Sequence, residues 1–362
     1  MRIVVAGMAV GDARQGGATW AVLQYVLGLR ALGHDVLLVE EVEDARFAGA
    51  AGRLRALAER FGLRAGLVGR PSGRMAGLGR GDLDDAELLL NLSGVLRDED
   101  LLARPSRRAY VDLDPAFTQL WAEQGAAMGL DGHERHVTVG MRLGAPDCPV
   151  PLGGRHWITT PQPIALAHWP VAHEPAAEAL TTVANWRSYG SIHHHGTAYG
   201  QKAHALRPLF GLPARTGARF RLALGIHPGE REDLAALAAN GWELDDPLAV
   251  AGTPADYRAY VRGSWAEFGL AKHGYVASRC GWFSDRSLCY LASGRPVLAH
   301  DTGFGDWLPT GEGVLAFADA DGVAAGIEAL RGDYARHRRA ARELAEDVFR
   351  AERVLGELLA CL

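Results

Sequence analysis

Between Arg279 and Thr302 the chain concentrates groups that suit a phosphate: the guanidinium groups of Arg279 and Arg286, the hydroxyls of Ser284 and Ser287 and, beyond them, Asp301 and Thr302. Where such groups stand at a helix start, the unpaired N–H groups and the positive end of the dipole add about 0.3–1 kcal/mol toward a bound anion. A phosphate or diphosphate is then the natural guest. Asp285 would repel phosphate if it faced the same way, so it is expected to cap the helix or to accept from sugar hydroxyls. The same residues also describe an ordinary capped helix with two solvated arginines.

The elements that must hold these groups read as one βαβ unit. Tyr275-Val276-Ala277 predicts a strand that ends in a polar loop, Ser284 and Asp285 can cap a helix, and Leu288, Leu291 and Ala292 give that helix a buried face. Gly294 stops it, and Val297-Leu298-Ala299 predicts a strand buried on both faces. Both loops then open at the carboxyl ends of strands, where open α/β sheets bind ligands.

Arg279-Cys280-Gly281-Trp282-Phe283-Ser284, followed by Gly294-Arg295-Pro296 and Asp301-Thr302, resembles the nucleotide-sugar signature of GT-B glycosyltransferases. In its plant-type version that signature begins His-Cys-Gly-Trp-Asn-Ser, continues through a helix to Gly-x-Pro and ends at Asp-Gln. Here Arg279 stands in place of the diphosphate-contacting His, Phe283 in place of the Asn and Thr302 in place of the Gln, with two extra residues before Gly294. In the other common version two glutamates stand eight apart; the matching positions are Gly281 and Cys289, so that version's retaining mechanism is not implied. The resemblance implies two doubly wound Rossmann-like α/β domains facing across a cleft. The donor diphosphate would lie on Arg279, Ser284, Arg286 and Ser287 at the helix start, the sugar would meet Asp301 and Thr302, and Asp285 would belong to the same donor site as helix cap or as acceptor for sugar hydroxyls.

Composition is compatible with that class. The 362 residues, 48% hydrophobic, can bury two cores of ordinary size. A net charge of −5 gives no electrostatic footprint for nucleic acid or an anionic membrane, so neither is an expected partner. Lys202 and Lys272 are the only lysines. Cys148, Cys280, Cys289 and Cys361 show neither zinc spacing nor a CxxC pair, which suits a reducing compartment. No apolar stretch approaches ~20 residues and the first segment does not read as a signal peptide, so a soluble, cytoplasmic protein is expected.

Along the chain, Ile3 to Ala6 predicts a strand, Gly7 to Gly17 a loop, the spacing from Thr19 to Leu29 a helix, and His34 to Val39 a second strand ending in Glu40-Glu41. The acid is where a nicotinamide site would want one, but GxGxxG is missing. Gly16, Gly17 and Thr19 instead let backbone approach a ligand from the amino-terminal side of the cleft, unless the loop is only a flexible surface segment. Arg53 to Phe61 predicts a helix, Arg64 to Arg80 irregular chain, and Glu87 to Leu92 a strand. Ala109 to Asp114 predicts a strand finishing in two acids. Asp114 either caps the helix behind Pro115 or serves as general base with Asp112 in support, and His133, near His136, is a second candidate base or a loop polar group.

The proline- and glycine-rich stretch 144–175, with Trp157 and Trp169, predicts the crossover between domains. A second series of strands and helices follows, in which Arg187 and Lys202 occupy places where GT-B enzymes bring a basic residue onto the diphosphate. His193-His194-His195 invites a metal reading, but consecutive rings cannot turn to one ion without strain, and no metal is expected. Tyr334 to Leu362 predicts one long amphipathic helix. The resulting expectation is an acceptor-binding domain over 1–170, a nucleotide-sugar-binding domain over 171–340 and a helix over 341–362 crossing back to the first. The activity would be glycosyl transfer from a nucleotide-diphosphate sugar, as co-substrate and with no further cofactor, to a hydroxyl-bearing acceptor. An epimerase of the same fold and a catalytically silent partner subunit are the alternatives.

Overall fold

The computed structural model describes residues 1–13, 15–175 and 177–362. Short apolar runs become strands covered on both faces, and the amphipathic stretches between them become the covering helices. In the first half the strands are β1 (Arg2–Ala6), β2 (Asp35–Glu43), β3 (Arg64–Arg70), β4 (Met75–Gly77), β5 (Leu88–Leu92), β6 (Arg108–Asp112), β7 (Arg135–Thr138) and β8 (Trp157–Thr159). They form one sheet in the order β4-β3-β2-β1-β5-β6-β7-β8, parallel except for the β3–β4 pair.

In the second half come β9 (Ala179–Asn185), a small antiparallel pair β10 (Ile192–His194) and β11 (Thr197–Tyr199), then β12 (Arg219–Gly225), β13 (Glu243–Asp245), β14 (Ala266–Gly269), β15 (Val297–His300) and β16 (Val314–Phe317). Apart from β10 and β11 these make a parallel sheet in the order β13-β12-β9-β14-β15-β16. Each sheet reverses its winding beside its own first strand, between β1 and β5 and between β9 and β14, and such reversals are where doubly wound sheets open a ligand crevice. The molecule is thus two doubly wound α/β units.

The units are joined by apolar contact as well as by chain. Leu23 and Val26 of the helix Gly16–Ala31 belong to the same buried cluster as Tyr290 and Leu291 of the helix Asp285–Ala292. The Trp20 ring packs on Trp169 with centroids 4.9 Å apart while its indole N–H donates to the Pro254 carbonyl at 2.7 Å. Among the described residues no helix is long and apolar enough to cross a membrane.

Three expectations are corrected. Tyr275-Val276-Ala277 lies in a helix, His273–Ser278, and the strand of that unit is β14, whose apolar run is broken by Glu267. Glu267 is wholly buried because Arg286 pairs with it, which a reading by hydropathy could not anticipate. Arg64 to Arg80 is not irregular, since β3 and β4 pair within it and its glycines allow the close approach: a Cβ on Gly77 would lie 2.2 Å from the Ala65 carbonyl oxygen. The final segment is two helices, Tyr334–Asp347 and Ala351–Cys361. Between them the chain exchanges helical bonds for a bridge to Ile164, which donates to the Phe349 carbonyl at 2.8 Å and accepts from Ala351 N–H at 3.0 Å.

The helix Ala351–Cys361 rests on the first helix at Gly28, where an added Cβ would meet the Ala351 Cβ at 2.5 Å and Leu355 Cδ1 at 2.7 Å. Gly28→Val should therefore destabilise the protein by about 1–3 kcal/mol through overpacking. Gly52→Ala, in the exposed middle of the helix Asp44–Phe61 with nothing near its added carbon, should gain up to about 1 kcal/mol. Urea unfolding midpoints of the two variants should move in opposite directions; a shift in the same direction would show that this helix contact is loose.

Candidate functional site

A cavity of about 790 Å³, a volume typical of small-molecule sites, lies between the loop after β1 and the carboxyl ends of β9 and β12. The first unit contributes Asp12, Gln15, Gly16 and Gly17; the second contributes the ends of β9 and β12, the turn Asp245 to Leu248, and Arg187, Lys202, Asp285 and Arg286.

The first-unit wall is a helix start. Gln15 makes no side-chain cap to the helix Gly16–Ala31, and its first turn holds no acid, so its leading N–H groups and its dipole are left to the cavity. The loop before it is fixed from below. The buried Glu40 carboxylate accepts from the N–H groups of Ala9, Val10 and Gly11 at 2.8, 2.7 and 2.7 Å, and Thr19 Oγ1 donates to the Ala9 carbonyl at 2.6 Å. Burial raises the Glu40 carboxyl above its usual range and the three N–H groups oppose that shift. Gly16 is pressed so closely on the second unit that a Cβ would sit 2.3 Å from the Thr253 carbonyl oxygen, and one on Gly17 would sit 3.0 Å from the Tyr257 ring.

The second-unit wall carries three cations, Arg187, Lys202 and Arg286, and three acids, Asp245, Asp246 and Asp285. Arg286 donates through Nε to Glu267 at 2.5 Å and through Nη1 to the Val183 carbonyl at 3.1 Å, while its buried Nη2 has no partner. Burial alone would lower its pKa, but the Glu267 carboxylate outweighs that and keeps the guanidinium charged. Arg187 donates to Glu230 at 2.5 Å. Lys202 differs: among the described residues no hydrogen-bond partner reaches its ammonium. Burial, with the nearby charges of Lys272 and Arg286, pushes its pKa down to about 7 against the weaker pull of Asp114 and Asp285. Burial raises the carboxyl of Asp285, and Arg286 and Lys202 oppose that.

Below this wall the two units are tied by one carboxylate. Asp114, just past β6, accepts from the Lys272 ammonium at 2.8 and 3.0 Å, from the Tyr189 hydroxyl at 2.5 Å and from the Tyr275 hydroxyl. The Lys272 ammonium also stands 4.4 Å from the Tyr189 ring centroid and 5.1 Å from those of Phe117 and Tyr275. Nearby, Arg142 of the first unit donates to the Arg279 carbonyl at 2.8 Å and pairs with Asp306 at 2.6 Å.

The structure gathers part of the set expected from sequence. Gly16, Gly17, Arg187, Lys202, Asp285 and Arg286 line the cavity together. Asp114 is a tie and not a helix cap, and with three donors on its oxygens it is poorly placed to take a proton. Asp112 is wholly buried, held by Thr118, Gln119 and Thr138, and serves the first unit's interior. His133 is corrected: it is buried against Tyr110 and bonded to Asn91 and the Gly129 carbonyl, away from the cavity, with its pKa lowered by burial. Arg279 is also corrected, because it ends its helix in the left-handed region (φ 47°) and turns to Asp147 and Asp306. Ser284 caps the N–H of Arg286, Thr302 donates to the Trp282 carbonyl at 2.5 Å and Asp301 accepts from Gly303 N–H at 2.8 Å; Ser287 is buried. These four shape the loops, and Thr19 does the same on the other side. Of the three consecutive histidines, His193 and His194 pair within β10 and His195, at φ 45°, begins the turn to β11.

Two residues were missed. Lys272 could have been found by the signal that drew attention to Lys202, since the chain's only two lysines come together across 70 positions. Asp12 carries no motif. It is an exposed acid in the loop after β1 that lines the cavity, and among the described residues its one hydrogen bond is a 3.3 Å contact from Gln15.

No protein-family model matches the sequence, and no curated protein is significantly similar to it. Solved structures are similar over their whole length. Anabaena HepE in complex with UDP and glucose superposes with a TM-score of 0.59 at 12% identity, covering 100% of each chain. An alpha-glucosyltransferase in complex with UDP and a 13-mer DNA gives 0.62 at 11%, covering 100% of this chain and 99% of that one. AviGT4, a glycosyltransferase involved in avilamycin A biosynthesis, gives 0.55 at 13%, covering 99% and 96%. At such identities the likeness establishes the fold, the GT-B arrangement of two Rossmann-like units. One of these structures holds DNA, so low net charge does not by itself argue against a nucleic-acid partner in this fold.

Removing either end of the Asp114–Lys272 tie leaves a largely buried charge without its partner, which costs about 3 kcal/mol or more. Lys272→Met and Asp114→Asn should each lower the denaturation midpoint strongly, and the double variant should be less destabilised than the sum. Strict additivity of the two in urea titrations would mean that the tie does not form.

Proposed function

We propose that the protein transfers a sugar from a nucleoside-diphosphate sugar to a hydroxyl-bearing acceptor, the second unit holding the donor and the first the acceptor. The observation that supports this best is one cavity lined both by an uncapped helix start and by the unpaired Lys202 ammonium, with the free Nη2 of Arg286 beside it. A diphosphate suits this lining: its oxygens accept from the N–H groups of Gly16 and Gly17 and meet the charges of Lys202 and Arg286. Ile226, Pro247 and Leu248 offer apolar surface to a base at the outer end of the same cavity. UDP is the nucleotide to try first, because HepE and the alpha-glucosyltransferase carry it in the same fold.

The chemistry asked of the protein is then modest. As the acceptor oxygen bonds to the anomeric carbon, the carbon–oxygen bond to the diphosphate breaks and the electron pair leaves with it. Lys202, Arg286 and the helix start stabilise the charge that develops there. The acceptor's proton passes to the carboxylate of Asp12. The Asp114 tie keeps the two substrates in register.

The reading is tested by incubating the protein with a panel of UDP-sugars and hydroxylated acceptors and following free UDP and new glycoside; a protein that neither binds UDP nor releases it from any sugar donor would overturn it. Two sharper expectations follow from the site. Lys202 binds the diphosphate only when protonated, so UDP affinity should fall by up to about tenfold per pH unit above its pKa of about 7. Calorimetry between pH 7.5 and pH 9.5 should show that fall in the native protein and a nearly flat profile in Lys202→Arg. Asp12→Asn should lower kcat by about 100-fold or more while leaving UDP affinity unchanged; parallel loss of both would make Asp12 a binding residue.

A further inference from the structure

Beside the main cavity lies a second, smaller one of about 230 Å³, and the two share Asp12 and Gln15. Its walls are Val10 from the loop after β1, Ala56 and Leu57 from the helix Asp44–Phe61, and Pro254 from the second unit. Two arginines of the same helix, Arg53 and Arg60, stand on this apolar lining, and among the described residues Asp12 is its only acid. In a chain where most arginines pair with carboxylates, neither of these does so among the described residues. Arg53 donates to the carbonyls of Val10 and Gly11 at 2.7 and 3.3 Å, which fixes its place without neutralising it. Arg60 lies 5.6 Å from the Phe61 ring and is exposed. Positive charge accumulates around it, since Arg258, bonded to the His168 carbonyl, feels Arg60 and Arg262 as like charges.

From this geometry we infer that the smaller cavity seats the acceptor, and that the acceptor is a compact apolar molecule carrying an anionic group, a carboxylate or a phosphate, as well as the hydroxyl that is glycosylated. This rests on the glycosyl-transfer reading and names its acceptor class. The anion meets Arg60 and Arg53 and the apolar body lies on Val10, Leu57 and Pro254. The hydroxyl then falls at Asp12, on the boundary shared with the donor cavity. An acceptor without a charge would make no ionic contact with Arg53 and Arg60, and a large one would not fit.

The test is calorimetric binding of three matched probes, 4-hydroxyphenylacetate, phenyl phosphate and uncharged tyrosol, to the native protein and to Arg60→Gln and Ala56→Trp. Both substitutions are at exposed positions, and UDP titrations accompany every protein. At least one acid should bind fivefold or more tightly than tyrosol, and which acid does so identifies the anion. In Arg60→Gln the difference should shrink below twofold, and in Ala56→Trp all three probes should lose affinity at least tenfold, with UDP binding unchanged in both. Equal binding of acids and tyrosol overturns the inference, as does a preference that survives Arg60→Gln or binding that survives Ala56→Trp. Absence of UDP binding to the native protein alongside a normal acid preference would instead strike the glycosyl-transfer reading and leave the anion site standing.

Discussion

The Lys272 ammonium on the Asp114 carboxylate is the interaction on which the arrangement of this molecule depends. Each sheet would fold around its own apolar strands without it, but the site is made of the space between sheets. A lysine removed from water incurs a large desolvation cost, and here a carboxylate, a tyrosine hydroxyl and three ring faces replace the lost hydration. Since Asp114 and Phe117 come from one unit and Lys272, Tyr189 and Tyr275 from the other, the compensation is complete only when the units are docked. The charge of Lys272 also acts on Lys202, so the tie tunes the cation that faces the cavity.

A second buried pair, Arg286 with Glu267, works within one unit. It anchors the first turn of the helix Asp285–Ala292 to β14 and leaves one guanidinium nitrogen unsatisfied beside the cavity. Glu40 does the corresponding work opposite, collecting three backbone N–H groups so that the loop after β1 keeps its shape and the helix behind it starts where it does. Both acids are buried and turned to the protein's own groups, and what they hold in place does the binding.

Much of the fold was legible in the residues. The apolar runs of β1, β5 and β15 stand out because strands buried on both faces must be nearly uniform, and Ser284 marks its helix start as a cap should. Strand β14 was not legible, because a buried Glu in a strand looks polar until its arginine is found 19 positions later. For the site, residue type was informative and direction was not. Arg286 and Arg279 sit on the same motif, yet a left-handed residue at the end of a helix turns Arg279 to two surface acids while Arg286 points inward. His133 and Asp114 both satisfied the demand for a group that can titrate, and only coordinates reveal that each is already spoken for by its neighbours.

Gly16 has a consequence for how this protein could change. It leaves no room for a Cβ against the second unit and it lines the cavity, so one position sets both how closely the halves approach and where the helix start stands. Affinity and docking cannot be adjusted there separately. Any larger side chain would push against the Thr253 carbonyl, widening the gap and withdrawing the helix start from its guest in the same movement. Variation in ligand preference is therefore confined to the rims, to the turn Asp245 to Leu248 and the arginines of the helix Asp44–Phe61, where side chains can be exchanged without moving the frame.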